Sequence, residues 1–67
     1  MEVDAAKLKR LREDQVLSQR ELARMAGLTQ MTVWRLENGY EQAHHQTIRK
    51  IAEALGVEPK KLVKGSE

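Results

Sequence analysis

Ser18-Gln19-Arg20-Glu21-Leu22-Ala23-Arg24-Met25-Ala26-Gly27-Leu28-Thr29-Gln30-Met31-Thr32-Val33-Trp34-Arg35-Leu36-Glu37-Asn38-Gly39 decides the architecture of this 67-residue chain. Ser18 followed three residues later by Glu21 is a capping box, which predicts a helix beginning at Gln19. Leu22, Met25 and Ala26 recur at helical spacing and supply its apolar stripe. Gly27 then interrupts, the residue that takes up a left-handed conformation at least cost at a helix end. Thr29 is a second N-cap, and Val33 and Leu36 begin a second stripe. Two short helices joined by so few residues must cross steeply. Ala23 is the small residue that lets them approach.

Working outward, the periodicity predicts five helices, no strands and a single domain over 1–67. The first helix runs from about Asp4 to Glu13, with Asp4 as cap and Ala5, Leu8 and Leu11 on one face. Residues 15–17 connect it to the second helix, Gln19 to Ala26, with Leu17 packing inward. The third helix is Gln30 to Asn38, and residues 39–45 form the longest loop. A fourth helix spans Gln46 to Leu55, where Ile48, Ile51, Ala52 and Leu55 fit i, i+3, i+4, i+7. Gly56 ends it, and Pro59 suits the first position of a short fifth helix closing near Val63. The ordered body is expected over about 4–63, with 64–67 a frayed tail.

Composition removes several classes of function. There is no cysteine, so disulfides and cysteine-built zinc sites are excluded. No apolar run is long enough for a membrane span, no signal peptide is present, and a cytoplasmic location is the simplest expectation. No phosphate loop, nucleophile–base arrangement or metal cluster appears, so neither enzyme, cofactor nor small-molecule ligand is expected. His44 and His45 are adjacent, but neighbouring side chains diverge and no third ligand lies near. The formal charge of +2 announces no polyanionic partner by itself. Its distribution says more, because Lys7, Lys9, Arg10, Arg12, Arg20, Arg24 and Arg35 crowd the N-terminal half.

An α-helix turns about 100° per residue. On the third helix Val33, Leu36 and Glu37 therefore share one side, and Gln30, Met31, Trp34 and Arg35 occupy the opposite arc. If the first side packs, the second faces outward with an amide, two large apolar groups and a guanidinium. The major groove of B-DNA admits one helix, and an amide pairs there with adenine while a guanidinium pairs with guanine. Met31 and Trp34 would meet thymine methyls or sugars. On the inner side two charges stand where neither is tolerated alone: Arg12 four residues after Leu8, and Glu37 four after Val33. Together they make a bidentate pair joining the first and third helices, with a structural duty.

The run Ser18–Gly39 resembles the DNA-binding domain of phage repressors and Cro proteins, the xenobiotic-response-element type of regulator. The features carrying the resemblance are Gln19 opening the first motif helix, Ala23 at the crossing, Gly27 in the turn, the Val33 and Leu36 pair, and the ending Glu37-Asn38-Gly39. Ile48 to Val57 looks like the family's fourth helix with its Ala-Leu-Gly-Val ending. The likeness covers about Leu8 to Leu62. It implies a compact, all-α five-helix bundle of the phage-repressor type, with the second and third helices forming the helix-turn-helix. It also implies that Gln30, Met31, Trp34 and Arg35 contact bases or the adjacent backbone, and that Gln19 holds a phosphate. Thr29, Asn38 and Tyr40 match positions near the DNA backbone. His44 aligns with the cap before the fourth helix, close to that backbone, and His45 with a position that is often apolar, so His45 is expected to be partly buried. Relatives also carry an Arg and a Glu where this chain has Arg12 and Glu37.

The implied function is sequence-specific binding of double-stranded DNA by a transcriptional regulator, most simply a repressor. One helix reads few base pairs, so a symmetric dimer on a palindromic operator is expected. Val57, Pro59, Leu62 and Val63 are the candidates for a weak homodimer contact. Phage repressor, restriction-modification controller, antitoxin and domain of a larger regulator all stay open. The loop Tyr40-Glu41-Gln42-Ala43-His44-His45 departs from many relatives, which carry Lys or Arg there. A competing class is a protein-interaction module of the same fold, with Met31 and Trp34 as its hot spot.

Overall fold

Asp4 starts the first helix by accepting the backbone N–H of Lys7 at 3.2 Å. In the computed structural model, which describes residues 1–40 and 42–65, helix α1 is Ala5–Asp14, α2 is Gln19–Ala26, α3 is Gln30–Glu37 and α4 is His45–Leu55. A 3-10 turn, Pro59–Leu62, takes the place of a fifth α-helix. The shorter period fits a segment of only one turn opened by proline. Asn38 is the C-cap of α3 rather than its last helical residue, and His44 is the N-cap of α4.

The capping box of α2 is closed in both directions. Glu21 N–H donates to Ser18 Oγ at 3.0 Å, and Ser18 N–H donates to a Glu21 carboxylate oxygen at 2.9 Å. At the other end Gly27 has φ +71°, and a Cβ added there would meet nothing within 4 Å. Backbone conformation, not lack of room, therefore calls for glycine at this turn. Leu28 N–H returns to the Ala23 carbonyl at 2.7 Å and closes the helix end. Val16, in the connector before α2, carries φ +56° although it is β-branched and exposed. That conformation costs about 1–2 kcal/mol. It turns the chain so that Leu17 N–H reaches the Arg12 carbonyl.

The core is purely aliphatic. Leu8, Leu22, Val33, Leu36, Ile51 and Leu62 are fully enclosed, with Ala23, Ala26, Ala43, Ile48, Ala52 and Leu55 filling the space between them. α2 packs on both α3 and α4, while α1 packs on α3 and the 3-10 turn. Gln15 ties the end of α1 to the end of α4, its amide donating to the Leu55 carbonyl at 2.5 Å. Leu11 and Leu17 are partly buried against this core.

Three expectations are corrected. Met25 does not belong to the inner stripe of α2 and is 55% exposed. Leu22, Ala23 and Ala26 define the inner arc, and Met25 falls about 110° from its centre. His45 is exposed, not partly buried. The inward position beside the start of α4 belongs to Ala43, which is buried and exchanges two hydrogen bonds with Met1. Leu62 is only 1% exposed, so it serves the core and offers nothing to a second copy.

The packed body also reaches past the expected limits. Val3 is buried and forms an isolated antiparallel bridge with Val63, although the described residues contain no strand. Asp4 N–H donates to Leu62 at 2.8 Å, and Lys64 N–H to Glu2 at 2.9 Å. Lys64 of the expected tail is thus paired through its backbone, and Ser66 and Glu67 lie outside the described residues.

Candidate nucleic-acid interface

The inner side of α3 is closed first, by Val33 and Leu36, which are enclosed, and by Glu37, whose side chain is 1% exposed. Glu37 is held by two partners. Arg12 Nε and Nη2 donate to its two oxygens at 2.6 and 3.1 Å, a bidentate pair between α1 and α3. Gln19 Nε2 donates to Oε1 at 3.0 Å from the start of α2. Arg12 Nη1 also donates to the Leu17 carbonyl at 2.6 Å. The hydrogen bond to Glu37 raises the Arg12 pKa above its ordinary value, against a smaller opposing effect of burial. One carboxylate thus fixes three elements, and no buried side-chain polar atom among the described residues lacks a partner.

With that side locked, rotation of the helix places Gln30, Met31, Trp34 and Arg35 outward, and all four are exposed. Gln30, Met31 and Trp34 line one shallow depression. Thr29 caps α3, its hydroxyl accepting from Thr32 N–H at 3.2 Å and sharing a hydrogen bond with the Thr32 hydroxyl at 2.9 Å. Asn38 donates its amide to the Trp34 carbonyl at 2.7 Å. Tyr40 lies over Trp34, with ring centroids 5.4 Å apart and planes inclined by 11°. His44 is exposed at the start of α4 and makes no side-chain cap bond. Arg20 and Arg24 are exposed on α2.

Two features escaped the sequence reading. The Trp34–Tyr40 stack joins residues on either side of a helix end. It needs Gly39 at φ +72° to turn the chain back, after which Tyr40 N–H closes on the Arg35 carbonyl at 2.9 Å. The Asn38-Gly39 pair was the available signal, since it marks a turn. The Gln19–Glu37 bond had no signal, because it depends on the angle between α2 and α3. It also orients Gln19, with one amide hydrogen engaged and the other left over.

No three His, Asp or Glu side chains converge as metal ligands among the described residues. Among the described residues no helix is long and apolar enough to cross a membrane.

The family model described as Helix-turn-helix, HTH_3, matches residues 8–62. The solved structure of the restriction-modification controller protein C.AhdI from Aeromonas hydrophila is 35% identical, with 85% of this chain and 86% of that one covered and a TM-score of 0.83. A hypothetical transcription factor, NHTF, from Neisseria is 33% identical over 85% of this chain and 66% of its own, with a TM-score of 0.81. The P22 c2 repressor, solved in complex with a synthetic operator, shares the fold at 20% identity, with 91% and 92% covered and a TM-score of 0.85. A search of curated proteins returned no match. The chain belongs to the HTH_3 helix-turn-helix family, whose similar members named above are regulatory proteins and not enzymes.

Proposed function

We propose that the protein is a sequence-specific double-stranded DNA-binding transcriptional regulator, a repressor that reads the major groove with α3. The observation that carries this reading is the division of α3 into a locked inner side and an exposed outer side. The outer side presents Gln30, Met31, Trp34 and Arg35 together. A single helix fits the major groove, and an amide and a guanidinium are the groups that pair bidentately with adenine and guanine. Gln19, Thr29, Asn38, Tyr40 and His44 then contact the sugar–phosphate backbone. Gln19 does so with the amide hydrogen not engaged by Glu37, near the positive end of the α2 dipole. Arg12 and Glu37 take no direct part in reading and hold α3 at its angle. A symmetric dimer on a palindromic operator supplies the length of sequence that one helix cannot. Val57, Pro59 and Val63 remain as its contact after removal of Leu62. The setting is the cytoplasm of a bacterium, with the protein encoded by the host, a phage or a plasmid.

Trp34 is the only tryptophan and lies on the proposed face, so its emission is the direct test. Duplex DNA should change it, and affinity should fall with salt by about 0.9 log units per tenfold increase for each neutralised phosphate. Unchanged emission together with no salt-dependent binding to any member of a random duplex pool overturns the reading and favours a protein partner for Met31 and Trp34.

A further inference from the structure

All the methionines stand outside the core: Met1, Met25 and Met31 are 49%, 55% and 55% exposed. The buried apolar residues are Val, Leu, Ile and Ala, and the chain has no cysteine. Oxidation of sulfur therefore leaves the packing untouched and acts on surfaces alone. The surfaces differ. Met25 ends the exposed side of α2, whereas Met31 sits in the first turn of α3 between Gln30 and Trp34, lining their depression. A thioether there is a soft apolar contact. One added oxygen makes it polar and chiral. A sulfoxide accepts hydrogen bonds and donates none. Phosphates and thymine methyls offer it no donor, and the neighbouring Gln30 amide is engaged by a base in this reading, so the cost of desolvating it goes uncompensated.

We infer that Met31 is a peroxide-sensitive modification site whose sulfoxide abolishes tight operator binding while leaving the fold intact. The inference rests on the DNA-binding reading of α3. In the reaction the Met31 sulfur lone pair attacks one oxygen of hydrogen peroxide and the O–O bond breaks. The new S–O group passes its proton to the departing hydroxide, which leaves as water. Sulfur loses two electrons and the peroxide gains them.

The test treats the full chain with hydrogen peroxide and quantifies sulfoxide at each methionine by peptide mass spectrometry. Circular dichroism then follows melting, and affinity is measured for a duplex obtained by selection. Oxidised wild type should melt as the untreated protein does and bind about tenfold or more weakly. Methionine sulfoxide reductases should restore it. Met31→Leu, whatever its own starting affinity, should lose none of it when oxidised equally at Met1 and Met25. Because Met25 and Met31 are equally exposed in the free chain, bound duplex should slow oxidation of Met31 and spare none at Met25. Full oxidation of Met31 with unchanged affinity overturns the proposal, as does an equal loss in Met31→Leu, collapse of the melting transition or equal protection of both sulfurs. An untreated chain that binds no duplex fails the DNA-binding reading and this proposal with it. An untreated chain that binds well and is indifferent to oxidation fails this proposal alone.

Discussion

Gln30 and Arg35 occupy opposite ends of the exposed edge of α3, more than one turn apart. They would therefore address different base pairs. Gln30→Ala and Arg35→Ala should each remove about 1–3 kcal/mol of discrimination, at distinct positions of a selected operator. Competition binding against single-base variants checks this, and equal losses on selected and random duplexes would show that neither reads bases. Glu37 differs in kind because it is buried and held by Arg12 and Gln19. Replacing it with alanine strands a buried guanidinium, which should cost about 3–5 kcal/mol of stability. An unchanged thermal midpoint for Glu37→Ala refutes that assignment. The pairing of Arg12 with Glu37 was legible in the sequence because each charge broke an apolar helical stripe. The share taken by Gln19 was not, since its position on α2 carries no such conflict.

The helices themselves follow from short-range chemistry. Ser18 and Glu21 close a box, Thr29 caps α3, and Gly27 turns out of α2 in a left-handed conformation. All of these join residues within a few positions of one another. The box carries a pH signature. The Ser18 backbone N–H holds the Glu21 carboxyl below its ordinary pKa of 4.5, with a further contribution from the Ser18 side chain. A carboxylate favoured in the folded state stabilises it above the ordinary value, and that contribution is lost as pH falls through the lower folded value. Glu21→Gln keeps the box geometry and removes the charge. Wild type should therefore melt above Glu21→Gln near neutral pH, and the gap should narrow as pH falls below the ordinary value of 4.5 and through the lower folded one. A gap that is constant or widens toward acid overturns this. Met25 matched the spacing of a stripe yet missed its arc, whereas the short fifth helix is present at Pro59–Leu62 with a 3-10 period.

For the whole molecule, the burial of Leu62 confines the proposed contact with a second copy to Val57, Pro59 and Val63, and Val57 and Val63 are themselves half-buried. So little apolar area predicts a monomer at micromolar concentration that pairs on DNA. Sedimentation should show one species without DNA and two copies on a selected duplex, with half-sites about 34 Å apart. One copy at saturation would overturn the symmetric arrangement. From the sequence alone came the helical class, the positions of the helices, the outward edge of α3 and the Arg12–Glu37 pair. Each of these is written in local spacing, where a few neighbours decide the conformation. Only the tertiary structure decided that Leu62 faces the core, that Val3 pairs with Val63, that Tyr40 lies over Trp34 and that Gln19 leans on Glu37. Those contacts depend on the angles at which helices cross and on where a chain turns back. Both are set by the collective filling of one small core, which no local run of residues encodes.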